Sequence, residues 1–557
     1  MKQVLIVNIT RMGDLVQTGT LLDRLQQEWP GAAVDLVVDR RFAPVASLLS
    51  GLREVIAVDF HELIDESRVA VKDVVSLYRD AVAWVKPLTE RRYDRVINLT
   101  FNKPSALLSG LIGAPDIRGA RSAWDGGLVV DNPWMAYFCD FHQFRRFNRF
   151  NLVDIYALGG SGPGTFAPLR LTISREARAW AQQMVAGTPK WIAVQAGASD
   201  AMKAWRPHLF GQALAHLSKR WEGGILFIGS QEEEAVIAEV TRVYREAGGQ
   251  NPIKNMAGRT TLGQLAGLLA ECRLLVTNDT GPMHIGVAAG TAVIDLSVGH
   301  VDFQETGPYG RGHWVVQPEL DCAPCGFDQV CAHHACKDRL MPDLVADLIG
   351  HVLGAGPCPS KVSGARLYES GVDEDGLGTF RLKRGVESPL TAWYAAFWRR
   401  YWYEVHTGLQ SNCPPPEGLP PDDSGVKEQL QRLIPQLEVA CRKADEIARL
   451  VSRMSINVHE LKRLQQEQGA EQERLLLMGM KTGATAPVTA AFHRQLQNDN
   501  VMGLDRLASH QARAYRSWLE RVTDIDHRIF RSGAAGTDGE SACSARRILI
   551  RPERQAA

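Results

Sequence analysis

The run from Leu274 to His284, LLVTNDTGPMH, constrains this chain more than any other stretch, because a short apolar strand passes through a polar turn directly into a helix start. Pro282 suits the first helical turn, where a missing N–H costs nothing. The turn therefore aims free amides and the positive end of a helix dipole at whatever sits beyond the strand, which favours an anion. Asp279 and His284 add side chains able to orient ribose or phosphate oxygens. A nucleotide diphosphate fits such a place. An ordinary strand-to-helix turn with an Asp cap explains the same residues, and this segment alone does not separate the two.

At 557 residues the chain exceeds a single core, and about 150 residues per domain suggests three or four units. Lysine plus arginine equals aspartate plus glutamate at 63 each, so no basic excess marks a nucleic-acid binder. The first residues lack a signal-peptide pattern, and no run of about 18 apolar residues occurs. These features lead to the expectation of a cytoplasmic protein, touching the inner membrane at most peripherally. Ten cysteines in a chain of this length are not a disulfide framework.

Val4–Ile9, Ala33–Val38 and Arg95–Leu99 read as strands, with an amphipathic helix over Leu15–Glu28; the alternation predicts a parallel, doubly wound α/β sheet. The pattern restarts with strands at Trp191–Gln195, Ile225–Ile228, Leu274–Val276 and Ala292–Leu296. Two Rossmann-like domains facing across a cleft are expected, at 1–170 and 171–353. Neither has G-x-G-x-x-G after its first strand, which disfavours a dinucleotide dehydrogenase. Gly/Pro-rich breaks then set off 354–425 as linker and aromatic helix, 426–530 as a helical or coiled-coil extension, and 531–557 as a disordered tail.

In the extension, Leu430, Leu433, Leu437, Ala440, Ala444, Ile447, Val451, Met454, Val458 and Leu461 alternate spacings of three and four. An intramolecular bundle accounts for this seam as well as self-association through the helical tail does, and the bundle is favoured. The aromatic run Trp393–Tyr403 reads as core before it reads as a membrane-surface segment.

After the first strand, Thr10-Arg11-Met12-Gly13-Asp14 places a carboxylate at the cleft mouth. There it serves either as general base for transfer to a hydroxyl or as a plain N-cap of the following helix. Lys203, near Trp205 and Pro207, can neutralise a departing diphosphate. Glu233 follows a strand end where acidic side chains take ribose hydroxyls, though a solvated first-turn glutamate fits too. Asp-x-Asp triplets occur only at Asp373/Asp375 and Asp524/Asp526, in the tail, where they read as solvated acidic patches.

Residues 1 to about 350 resemble glycosyltransferase family 9, the ADP-heptose:lipopolysaccharide heptosyltransferases. The likeness rests on Met12-Gly13-Asp14, Lys203 with Trp205, Gly229-Ser230, and Asn278-Asp279-Thr280-Gly281 with His284 and Ala288-Ala289. It implies a GT-B fold and a metal-independent inverting transfer from an ADP-sugar to a lipopolysaccharide-type acceptor at the cytoplasmic face of the inner membrane, with no nucleic-acid partner. Asp14 then resembles the catalytic base. Lys203, Glu233, Thr260, Asp279, Thr280, Gly281 and His284 correspond to donor-binding positions. Lys103 is similar to an acceptor-side position, with Arg118 and Arg121 as companions or mere surface charges; Arg11, where the family commonly has small polar residues, adds a cation that selects an anionic acceptor.

Cys322, Cys325, Cys331 and Cys336, within 322–336, form C-x2-C-x5-C-x4-C. A structural zinc is the first expectation for the four thiols; free or redox-active thiols and an iron–sulfur cluster are the alternatives. The rival functions for the chain are a GT-B sugar-nucleotide epimerase or hydrolase, and a non-catalytic nucleotide-binding scaffold that uses the helical tail for partners.

Overall fold

Six strands form the first sheet: β1 (Gln3–Val7), β2 (Ala33–Asp39), β3 (Glu54–Val58), β4 (Arg95–Asn98), β5 (Asp116–Ser122) and β6 (Leu128–Asp131). Their order is β3-β2-β1-β4-β5-β6, parallel throughout except for β6. Val4 to Val7 are wholly buried, as a central parallel strand covered by helices on both faces requires. The chain leaves β1 at the point where strand order reverses, which is where open α/β sheets gather ligands. The computed structural model describes residues 1–59, 74–188, 190–326, 331–453, 457–498 and 502–530.

The single helix expected over Leu15–Glu28 is two, Met12–Gln17 and Gly19–Glu28. Thr18 makes the break: its hydroxyl donates to the Asp14 carbonyl at 3.0 Å, and the Asn8 amide donates to that hydroxyl at 3.0 Å. Asp14 is consequently the third residue of a helix and not its N-cap; its carboxylate accepts the backbone N–H of the N-cap Arg11, so it keeps a capping role at this helix start.

The second sheet has eight strands, ordered β14-β13-β12-β11-β10-β7-β8-β9. These are β7 (Trp191–Gln195), β8 (Gly224–Phe227), β9 (Ile253–Asn255), β10 (Leu274–Asn278), β11 (Ala292–Leu296), β12 (Trp314–Pro318), β13 (Ala365–Val372) and β14 (Gly378–Arg384). β7 to β12 run parallel; β13 and β14 add an antiparallel hairpin to the β12 edge. That hairpin lies inside 354–425, expected to be linker and aromatic helix. Its outer strand is rich in exposed cations, Arg381, Lys383 and Arg384, the composition that keeps a sheet edge from pairing further. The two sheets with their helices make the GT-B arrangement.

Contact between residues divides the chain into two units, Met1–Cys139 with Arg149–Glu387, and Asp140–Asn148 with the chain from Ser388 onward. The first holds both sheets. The second is helical, built from Pro389–Thr407, Asp423–Val451, Val458–Gly479, Ala486–Gln497 and Leu504–Phe530 around the short 3-10 segment Phe141–Phe147. Most of the heptad seam is buried against the chain's own helices, with Leu430, Leu433, Leu437, Ala440, Ala444, Ile447 and Val451 inside. Val458 is exposed, and Met454 lies outside the described residues, as does 531–557.

The aromatic run is core: Tyr394, Trp398, Tyr401 and Trp402 are all but inaccessible. Trp398 donates its indole N–H to the Gly483 carbonyl at 2.7 Å and stacks on Trp402 at 5.7 Å. Among the described residues no helix is long and apolar enough to cross a membrane. Trp398→Ala leaves a large cavity and an unpaired carbonyl, so we expect a loss of about 3–5 kcal/mol of stability. Urea unfolding followed by far-UV circular dichroism measures it, and a change below about 1 kcal/mol would contradict this account of the core.

Candidate functional site

The helix beginning at Met12, from the first sheet, packs against the helix Gly281–Ala288, from the second. Two glycines permit the contact. A Cβ on Gly13 would lie 2.7 Å from His284 Cδ2, and one on Gly281 would run into the Met12 methyl group. Side chains at either place would wedge the two helices apart, so glycine here is a condition of close approach. Asp14 is thereby held next to the helix that the turn Asn278–Thr280 feeds. The Arg11 backbone N–H donates to Asp14 Oδ2 at 3.2 Å, which orients the carboxylate at the start of its helix.

On the other side of the mouth, β10 ends in a set of mutually bonded polar groups. Asn278 donates to the carbonyls of Ala196 and Gly197, both at 3.1 Å, and accepts the Trp205 backbone N–H at 2.9 Å. It therefore ties the turn after β7, which carries Lys203, to the end of β10. Thr280 donates its hydroxyl to Gln195 Oε1 at 2.5 Å and is the N-cap of the helix Gly281–Ala288, whose first backbone amides have no intrahelical acceptor. Asp279 is 5 % exposed and accepts the Thr306 hydroxyl at 2.5 Å. Burial raises its carboxyl above the ordinary range, against the pull of Lys203, that hydrogen bond and His300.

His284 is buried, and burial drives its pKa down to about 4, with Asp14 pulling the other way and Lys203 adding to the fall. The ring is neutral near pH 7 and offers a donor or an acceptor, not a charge. His313, on the loop before β12, is pushed to about 4 by burial alone. Both folded values lie below the unfolded one near 6.5, so the neutral rings contribute fully above pH 6.5 and that contribution is lost as pH falls toward 4. Thermal melts between pH 7 and 4 should show His313→Phe losing less stability than the parent, by on the order of 2–3 kcal/mol. Parallel curves would show that the ring does not titrate this way.

The other expected positions divide. Glu233 accepts the Ser230 backbone N–H at 2.7 Å through Oε2, and its Oε1 lies over Gly197, where a Cβ would clash with it. It thus bridges the ends of β7 and β8. Thr260 is half-buried, two residues after Gly258, whose N–H donates to the Gly229 carbonyl at 3.0 Å. Lys103 is exposed in the first turn of the helix Lys103–Ile112, and Arg11 is exposed beside Asp14. Arg118 is committed elsewhere: it donates to the carbonyls of Gly159, Gly160 and Ser161 at 3.0–3.3 Å and to Asp116 at 3.2 Å, capping a helix C-terminus. Arg121 is paired with Asp131.

The cysteine segment packs beside the turn that follows β7. The Cys325 N–H donates to the Gly299 carbonyl at 3.0 Å, the Trp205 indole donates to the Lys337 carbonyl at 2.9 Å, and Lys337 Nζ donates to the Ala201 carbonyl at 2.5 Å. Cys325 and Cys336 are buried, Cys331 is half-buried and Cys322 exposed, and none of the four is in a disulfide among the described residues. Among the described residues no three histidine, cysteine, aspartate or glutamate side chains are grouped so as to hold a metal ion. Gln195, Asn278, Thr306 and Asp295 were not expected as site residues. The first two stand at strand ends in segments already singled out, whereas Thr306 and Asp295 carry no local signal.

Residues 82–335 match the model of glycosyltransferase family 9 (heptosyltransferase). A lipooligosaccharide heptosyltransferase 2 of Campylobacter jejuni is 30% identical over 165 residues, 29% of this chain and 50% of that protein. The lipopolysaccharide core heptosyltransferase OpsX of Haemophilus influenzae is 22% identical over 318 residues, 56% of this chain and 82% of its own length. The structure of Escherichia coli ADP-heptose lps heptosyltransferase II aligns with a TM-score of 0.46 at 19% identity, over 64% of this chain and 99% of the other. The alignments to the first two Campylobacter relatives span about half of those proteins.

Proposed function

We propose, from the match of residues 82–335 to the model of glycosyltransferase family 9, that this chain moves a heptose or related sugar from an ADP-sugar to a lipopolysaccharide core or similar glycan acceptor, with inversion and without a catalytic metal. The observation that carries the reading is the seating of Asp14 against the helix Gly281–Ala288, made by the contact of Gly13 with His284. One group able to take a proton thus stands next to amides and a lysine able to hold a diphosphate.

In this mechanism the acceptor hydroxyl attacks the anomeric carbon from the face opposite the diphosphate. The new C–O bond forms as the bond to the leaving phosphate oxygen breaks, and the hydroxyl proton passes to the Asp14 carboxylate. Charge accumulating on the diphosphate is met by Lys203 and by the backbone amides at Thr280 and Gly281. Glu233 takes ribose hydroxyls and Thr260 lies toward the adenine edge. Lys103 and Arg11, exposed on the first-sheet side, face the acceptor, whose phosphates or acidic sugars they suit; Arg118 and Arg121 have structural work instead. The acceptor is lipid-linked, so the protein works at the cytoplasmic face of the inner membrane.

Purified protein incubated with a panel of nucleotide sugars, with and without lipopolysaccharide-core acceptor, tests the reading. Acceptor-dependent release of ADP is the expected result. Donor consumption without acceptor would identify an epimerase or hydrolase, and nucleotide binding without turnover a scaffold. Metal analysis of the same preparation decides whether the four cysteines hold zinc.

A further inference from the structure

Among the described residues Asp295 is the carboxyl group with both oxygens buried and unbonded. It lies on β11, directly opposite Thr277 of β10 in the parallel ladder and beside Val315 of β12, with no accessible surface. Neither carboxyl oxygen has a hydrogen-bond partner among the described residues. The Ser297 hydroxyl, two residues on, is likewise buried and unbonded. A carboxylate left so is among the costliest arrangements a fold can retain.

Its electrostatic neighbours are Asp279 and Lys203. Asp279, two residues beyond Thr277, has Lys203, His300 and the Thr306 hydroxyl around it. His300 in turn faces Asp200 at 3.7 Å, and on the far side of Lys203 stand His284 and, through it, Asp14. Two buried carboxyls therefore share one lysine, and that lysine is the group that the donor diphosphate would engage. We propose that Asp279 and Asp295 form a proton-holding pair beneath the donor site, so that a nucleoside diphosphate sugar binds together with a proton taken from solvent. This rests on the donor-site reading above and adds to it a second, unassigned carboxyl.

The charge balance explains the uptake. Two adjacent carboxyls away from water cannot both ionise, so without nucleotide the pair holds one proton and its remaining negative charge is matched by Lys203. Burial, and then the nearness of Asp279, push the Asp295 carboxyl well above its ordinary range, which places the shared proton mainly there. An arriving diphosphate brings two negative charges and draws Lys203 to itself. The pair, now without its cation, compensates by binding a further proton on a carboxylate oxygen.

Titration calorimetry with ADP-glucose, whose diphosphate diester has no group titrating near neutrality, tests this in HEPES and in Tris at pH 7. The dependence of the heat on buffer ionisation counts protons. Uptake of roughly half to one proton per nucleotide is expected, with affinity rising as pH falls by up to about tenfold per unit. In Asp295→Asn the uptake should drop severalfold while binding persists. Zero exchange or release by the parent protein, which needs no variant, or equal uptake in parent and variant, would overturn the pair alone. Failure of both ADP and ADP-glucose to bind would sink the donor-site reading, and the pair with it.

Discussion

Asp14→Asn is expected to slow sugar transfer by about 10²–10⁴ while leaving nucleotide affinity nearly unchanged. Asparagine keeps an oxygen to accept the Arg11 backbone N–H, so the helix start at Met12 and the contact between Gly13 and His284 persist. What disappears is the capacity to take a proton. Because the acceptor hydroxyl must lose that proton as it attacks, the effect should appear in kcat and not in the donor KM. The measurement is acceptor-dependent ADP release, with ADP affinity from calorimetry as the control. Turnover within about threefold of the parent would remove Asp14 as base; loss of ADP binding together with turnover would indicate a structural role instead.

Lys203→Ala should act on both quantities. Removing a cation aimed at developing charge costs about 3–4 kcal/mol at the transition state, a fall of roughly 10²–10³ in kcat. Here the lysine also balances Asp279 and Asp295, so the variant leaves two buried carboxyls without a cation. Donor affinity should therefore weaken by at least about tenfold, and Lys203→Arg should recover only part, since a planar guanidinium does not occupy the place of a compact ammonium. A variant with unchanged kcat would dissociate Lys203 from the leaving group, however much its stability changed.

How much of this was readable beforehand follows from which interactions are local. The strand-turn-helix at Leu274–Ala288 announces itself because its apolar run, polar turn and Pro282 are contiguous, and the structure has β10 and a helix where that pattern puts them. The break at Thr18 is hidden because the apolar period continues across it and one of the two bonds that make it comes from Asn8, ten residues away. β14 is hard to read because an edge strand full of arginine and lysine lacks the apolar run that marks buried strands, and β13 because Arg366, Glu369 and Ser370 interrupt its apolar positions. Arg118 looked like free charge; only folding brings it to the carbonyls of Gly159, Gly160 and Ser161. Asp295, inside a strand-like run, gives no sign that Asp279 and Lys203 will be its neighbours.

The placement of Asp140–Asn148 in the helical unit has a consequence for how the protein is made. Arg494 holds Asp140 through two contacts of 2.9–3.0 Å, and Phe147 packs on Tyr394 at 5.4 Å. Yet a ribosome produces this segment about 240 residues before the helix beginning at Pro389, which at ~5–20 residues per second is roughly ten to fifty seconds. During that interval Phe147 lacks the Tyr394 ring on which it finally packs, and Asp140 lacks Arg494, in a nascent chain whose first sheet is already complete. Chaperone demand during synthesis should therefore peak between the two events, and a chain ending near residue 388 would keep Phe147 without that ring for its whole lifetime.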